Sequence, residues 1–247
     1  MNEPSPRRTD LVSALDRSGA DLVRMLADTP DDRSDLPVAG LAWTVGQTAA
    51  HLLSVVRRAL GDTRRSTTPE GTATLNATAL AEIGEDRPSV LATLLRRDLA
   101  TVTGRVLHGV SDLDRVVPFH GGLTIPVRQA FGIMLVEIVV HTDDLARTLG
   151  RPAPVRPDVD ALALDAFLAV APRWVDPGST AAARITLRSG TGAARTLRLT
   201  AGSLDVKSGA ADPGTPVVDD RDLLLVLCRR RPADGPLGAI RGALRPI

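Results

Sequence analysis

Glu137 and His141 stand four residues apart in GIMLVEIVVHTDDLARTLGRP, residues 132–152, and they are the only polar side chains between Ile133 and His141. On a helix, side chains at this spacing sit one above the other, about 40° apart around the axis. With Met134 at the centre of the face and about 100° per residue, Val127, Phe131, Ile138 and Leu145 form one stripe. His141 falls inside that stripe and Glu137 at its edge. A carboxylate and an imidazole turned toward a core need partners, because an unpaired buried charge costs several kcal/mol. A metal ion is one such partner, and helix bundles build metal sites from inward residues on facing helices. The alternatives are a hydrogen bond between the two, an arginine such as Arg128, or solvent.

A metal also needs a third ligand from another helix, and three other histidines are available. His108 sits at a helix end and His120 in the glycine-rich FHGG, where exposure is the default. His51 lies mid-helix in TAAHLL. A stripe through Val45, Ala49, Leu52 and Val56 leaves it on the flank, so periodicity does not turn it inward. Spacing alone leaves the third ligand open.

The elements that must position these residues are mostly helical. Thr9 can cap a helix over Asp10–Ala27, with Leu11, Leu15, Leu22 and Leu26 at helical spacing. TVGQ is a capping-box pattern, in which Thr44 and Gln47 each satisfy the other's backbone N–H, and it starts a helix over Val45–Leu60. A looser segment follows, with one short helix over Ala77–Ile83. Asp86 and Pro88 open the next helix, to about Leu107, with Leu91, Leu94, Leu95, Val102 and Val106 facing inward. The last starts near Pro126 and stops at Gly150, with Pro152 beyond. Four long helices with apolar stripes make an antiparallel bundle the economical arrangement. RPAPVRPD reads as a linker. Beyond it come a helix over Val159–Ala171, three alternating stretches (ARITLRSG, RTLRLTAG, LDVKSG) that read as an antiparallel meander, and a helix in DDRDLLLVLCRRR. Residues 1–8 are then a flexible N-terminus, 9–150 the bundle, and 158–247 a smaller α+β domain.

Composition excludes several classes. The 247 residues carry a formal charge of +1, so no global field attracts nucleic acid or an anionic membrane. Three phenylalanines, two tryptophans and no tyrosine offer few stacking platforms for a single strand. Arg229–Arg231 reads as a solvated surface. No stretch approaches the roughly 20 apolar residues of a membrane span, and MNEPSPRRTD lacks the apolar core of a secretory signal. Cys228 is the one cysteine, which fits a reducing cytoplasm; in LLLVLC it reads as a buried apolar residue.

LAWTVGQTAAHLLSVVRRAL resembles the W-[ST]-V-x-[ED/Q]-x-x-x-H-L segment of the mycothiol-dependent maleylpyruvate isomerase family, within the wider DinB-like group. EIVVHTDDLARTLGRP resembles its E-x-x-x-H-x-x-D-L-A-x-x-x-G-R-P segment, and order, separation and chain length agree. The resemblance implies a mainly α protein: a DinB-like antiparallel four-helix bundle followed by a smaller, sterol-carrier-like α+β domain. It implies a divalent metal, zinc, held by His51, Glu137 and His141, and such a His₂Glu set leaves the fourth position open as catalytic zinc requires. Asp144 matches the family's aspartate, as a catalytic-site residue behind the ligands or as a helix-terminal cap. Asp143 departs from the tryptophan that relatives often carry there, which leaves the pocket rim undefined. Asn76 matches an asparagine of the connecting segment, with a turn-stabilising role as its competitor. Arg64, Arg65, Arg87 and Arg128 are candidate donors to the thiol or an anionic substrate.

The implied thiol is mycothiol. A thiolate is the nucleophile, and zinc favours deprotonation, so the expected chemistry is addition to an electrophilic small molecule. Departure after bond rotation gives cis–trans isomerisation; staying attached gives S-transfer. The competing expectation is a non-catalytic binding protein on the same scaffold. Hydrolysis ranks last, since Asp144 alone could serve as its base. The expected partners are a small-molecule substrate and the thiol, with no nucleic acid or membrane, and the chain a monomer or homodimer.

Overall fold

The structure, a computed structural model, describes residues 7–189, 194–209 and 214–245. The chain divides into two compact units, one of Pro6–Pro154 and one built on Val155–Ile247, parting within the proline-rich linker. Of the stretch expected to be a flexible N-terminus, residues 1–6 lie outside the described ones.

In the first unit, helix α1 is Arg8–Ala27 and α2 is Val45–Ala59. Thr9 does not cap α1. Arg7 does, its backbone N–H bound to the Asp10 carboxylate at 3.2 Å, because a carboxylate in the first turn takes the free donor. The stripe on α1 is as expected: Leu11, Leu15, Leu22 and Leu26 are all 0 % exposed. The Thr44–Gln47 capping box forms in both directions, at 3.0 and 3.3 Å. Helix α3 is Gly71–Ile83, six residues longer at its start than expected, and it carries only one buried residue, Ala79. Its sequence has little apolar periodicity from which to read a start.

Helix α4 is Pro88–Thr101, with Pro88 in its first turn, and it runs through a π-helical turn, Val102–Val106, into the short α5, Leu107–Gly109. The turn interrupts the single helix expected there. Gly104 and the Thr103 hydroxyl, drawn back 3.1 Å to the Leu99 carbonyl, loosen the α pattern. The glycine-rich stretch is a hairpin: β1, Val116–Pro118, pairs antiparallel with β2, Thr124–Pro126. Helix α6, Val127–Thr148, follows, and Gly150 (φ 65°) ends it while the Arg151 N–H reaches back to the Ala146 carbonyl. α1 packs on α4 and α6, α2 packs on the same two, and α3 lies against α2. This is the four-helix arrangement expected.

The second unit holds α7, Pro157–Val170, and strands β3, Ala182–Ser189, β4, Ala194–Thr200, and β5, Ser203–Gly209. These three form the expected meander, with Leu187 opposite Arg195 and Leu197 opposite Val206. A two-residue strand β6, Val217–Val218, joins β3 in parallel, so the sheet order is β5-β4-β3-β6. α8, Asp220–Leu227, packs on α7, and α9, Gly235–Ala243, packs on β3. Neither β6 nor α9 was expected: one is too short to alternate, the other too rich in glycine to read as a helix. Cys228 ends α8 half-buried rather than in the core. The protein is mainly helical with a smaller α+β part. Among the described residues, no helix is long and apolar enough to cross a membrane.

Candidate metal centre

Helices α2 and α6 bring His51, Glu137 and His141 together. Their ligand-capable atoms all lie within 4.8 Å of one another. Glu137 Oε2 is 3.4 Å from His51 Nε2 and 3.2 Å from His141 Nε2. Atoms bound about 2.0–2.1 Å from a tetrahedral ion are separated by about 3.4 Å, so the two distances to Glu137 suit a shared ion as well as they suit hydrogen bonds. Both imidazoles are 3 % exposed, whereas the Glu137 side chain is 20 % exposed. The centre therefore opens on the Glu137 side.

His51 is turned inward, which its helical wheel did not show. From Val45 to Val56 only Gln47 escapes burial, so α2 has a far wider buried arc than one stripe. Its Nδ1 is buried without a hydrogen-bond partner. Trp43, just before α2, covers the pair, its ring 4.6 Å from that of His51 and 6.0 Å from that of His141.

Behind the imidazoles, Asp144 is 0 % exposed and its Oδ2 is 3.1 Å from His141 Nδ1. That contact places the ring proton on Nδ1 and leaves Nε2 free as a ligand. Arg147 holds the other Asp144 oxygen and also donates to Asp143 Oδ2 at 3.0 Å. The electrostatics follow from burial and these contacts. Burial pushes His51 down, against the pull of Glu137. Burial also opposes charge on His141, but Asp144 and Glu137 outweigh it and hold His141 above its usual value. Burial opposes the charge on Glu137 too, and the two histidines overcome it, holding the carboxyl well below its usual range.

The other candidates fall in two groups. Asn76 Oδ1 accepts from Arg58 Nη2 at 2.8 Å, and Arg65 Nη1 donates to the Asp62 and Arg64 carbonyls at 2.7 Å each. Both arginines belong to the same neighbourhood as His120, whose charge they oppose. Arg64 is bound by Asp62 and Glu82, Arg87 by Glu85, and Arg128 by Asp114. His108 is exposed, as expected. Trp43, part of the family segment, and Arg58 were given no role by the sequence, and His120, expected to be exposed, is half-buried. Arg58 had a readable signal, standing two helical turns after His51. His120 had none, since it depends on a hairpin tip folding back on residues 66 and 67.

Residues 15–146, more than half of the chain, match the family model for the mycothiol maleylpyruvate isomerase N-terminal domain. Two solved structures resemble the chain at 15 % identity, each covering 92 % of it and 90 % of its own length. One is the mycothiol-dependent maleylpyruvate isomerase, with a TM-score of 0.54, and the other a histidine-to-alanine mutant of it, with 0.56. At that identity they speak for the fold. No curated protein gives a significant match. With the family model covering both helices that carry the three ligand-capable residues, the chain belongs to the mycothiol maleylpyruvate isomerase family.

Proposed function

We propose that the protein is a metal- and mycothiol-dependent isomerase, with zinc held by His51, Glu137 and His141. The observation that carries this reading is the convergence of two imidazole Nε2 atoms on one Glu137 oxygen, at 3.4 and 3.2 Å, in a centre open on one side. The donor set fits zinc: two neutral-capable nitrogens and a carboxylate, with the fourth position left for a reactant. When bound, such an ion favours the thiolate form of a thiol that takes that position.

The chain's own residues have separate tasks. Asp144 accepts from His141 Nδ1 and so presents Nε2; it is a positioning residue, and Arg147 fixes it in turn. Trp43 covers the imidazoles and limits water on that side. Arg65 and Asn76 contribute to the rim that the thiol or substrate meets. The thiolate adds to one carbon of an activated double bond, and the electron pair moves onto the conjugated carbonyl. Rotation about the resulting single bond and expulsion of the same thiolate restore the double bond in the other geometry, with no net change in protons or electrons. The family and the similar solved enzyme favour this course over S-transfer.

The test is metal content by elemental analysis, for untagged wild type and His141→Ala, followed by mycothiol-dependent cis–trans isomerisation of maleylpyruvate. About one equivalent of zinc in wild type, lost in the variant together with the activity, is the expected result. A folded wild type that takes up no zinc, or one that holds zinc but shows no thiol-dependent turnover, would overturn the reading.

A further inference from the structure

The second unit holds a recess of its own, about 280 Å³ in volume, between α7 and the β5 edge of the sheet. Its helical wall is Asp165, Leu168 and Ala169 of α7 with Pro172 in the 3-10 turn that follows, Ala171–Trp174. Positions i, i+3, i+4 and i+7 share one face of a helix. Opposite them stand Arg195 of β4 and Leu204, Val206 and Ser208 of β5. Arg195 lies across from Ser208 in the register, and strand alternation puts these four on one side of the sheet. Asp205 reaches the rim, where its carboxylate is 3.3 Å from Lys207 Nζ.

The two ends of the recess differ. Ser208 and Leu204 are four residues apart on an extended strand, about 13 Å. Around Leu204 the walls are apolar, with Val206, Leu168 and Pro172. Around Ser208 they are polar, because Arg195 binds Asp165 across the gap. Such a recess suits a molecule with one polar head and a short apolar body.

Charge decides which head. Arg195, whose side chain is 7 % exposed, is the one base among the described residues that line the recess. Two carboxylates already hold it, Asp165 at Nη2 and Asp220 at 3.7 Å from Nη1. Asp220 is buried, and its Oδ1 accepts no hydrogen bond among the described residues. Behind them Asp160 and Arg221 pair at 2.7 Å and leave nothing over. Burial pushes Asp220 up, and Asp165, Asp219 and Asp160 add to that against the pull of Arg195. The carboxylates here outnumber the guanidiniums, and Asp165, with its side chain 44 % exposed, presents that excess to the recess. An anion would meet an arginine already overmatched; a cation supplies the missing charge.

We propose that this recess binds a small organic cation, an ammonium head on the Asp165 carboxylate with a short aliphatic chain along Leu168, Pro172, Leu204 and Val206. The N–H groups of an ammonium make charge-assisted hydrogen bonds to a carboxylate, and the chain gains by leaving water. Every wall residue belongs to the second unit, so the site stands apart from the metal centre and from the isomerase reading.

The test is a ¹H–¹⁵N NMR titration of the full chain with butylammonium, butyrate and butanol at low ionic strength. It uses wild type, Asp165→Asn, Ala169→Phe and, as a control, Asp234→Asn, an exposed position outside the recess. Butylammonium is expected to shift the amide signals of residues 165–172 and 204–208 saturably, and the other two probes are not. Asp165→Asn removes the charge, and Ala169→Phe fills the space from an exposed position that leaves the core intact. Each should weaken the cation at least tenfold, while Asp234→Asn matches wild type. Unchanged signals elsewhere in the spectrum show that a variant is folded. Butyrate or butanol binding as tightly as butylammonium, wild-type affinity in either folded variant, or no saturable shift at these residues would overturn the proposal.

Discussion

Removing Asp144 should weaken zinc binding without touching a ligand. The carboxylate is wholly buried, and its Oδ2 is 3.1 Å from His141 Nδ1. In Asp144→Ala the Nδ1–H of an imidazole that is 3 % exposed loses its acceptor, and an unsatisfied buried donor costs about 1–3 kcal/mol. The ring escapes that cost by moving its proton to Nε2, the atom that should face the metal. Either way zinc affinity falls, by about 10–100-fold or about 1.4–2.7 kcal/mol, and alanine belongs at the upper end. Asp144→Asn keeps an acceptor but not the charge, and charge-assisted hydrogen bonds are about twice as strong as neutral ones; it should lose about tenfold. Asp143→Asn is the comparison: it alters the neighbouring carboxylate, which Arg147 Nε reaches at 3.0 Å, and leaves the Asp144–His141 hydrogen bond in place. The assay is competition with a chromophoric chelator at pH 8, chosen because His141 is held above its usual value and its proton competes with the metal at lower pH. A folded Asp144→Ala protein whose zinc affinity stays within twofold of wild type would refute the positioning argument.

Two further outcomes follow from the same region. His120 is pushed down to about 4, so the unfolded chain binds its proton more readily than the folded one; that stability is complete above about pH 6.5 and is lost as pH falls toward 4. Allowing for its partial exposure, the loss is about 1–2 kcal/mol, and urea unfolding at pH 7.5 and 4.5 should show a smaller pH effect in His120→Gln than in wild type. Gly46, in the first turn of α2, leaves no room for a methyl: a Cβ would stand 2.3 Å from the Asp86 carbonyl and 2.5 Å from Ser34 Oγ. Gly46→Ala should cost about 3 kcal/mol in urea unfolding and weaken zinc uptake, since the shift moves the helix that carries His51; wild-type values in both measurements would contradict this.

Much of the bundle could be read from the chain because its signals are local. Leucines at helical spacing on α1, the Thr44–Gln47 box and the Gly150 stop each act within a few residues, and each reappears in the structure. What escaped depends on contacts distant in sequence. The wheel of α2 left His51 undecided because burial there comes from α4 and α6 on two sides, and the family motif, not periodicity, pointed to it. The hairpin that carries His120 is two three-residue strands, too short to alternate, and its tip is placed by Ser66, 54 residues earlier. Thr9 and Asp10 compete for one cap, and propensity does not decide between a hydroxyl and a carboxylate one residue apart. The π-helical turn in α4 is likewise a departure that helical spacing cannot announce.

The indole packed over the two imidazoles has a consequence for how the centre can be observed. With no tyrosine and two tryptophans in the chain, ultraviolet emission comes from Trp43 and Trp174 alone. Only Trp43 belongs to the bundle unit, and its ring lies 4.6 and 6.0 Å from the imidazoles, within the range of about 6 Å over which an aromatic face responds to a cation. Protonation of a histidine and arrival of a metal both change the charge beneath that ring. The fold thus places a native optical reporter against the two ligand-capable imidazoles, and any metal uptake there can be followed in the unlabelled, unmodified protein.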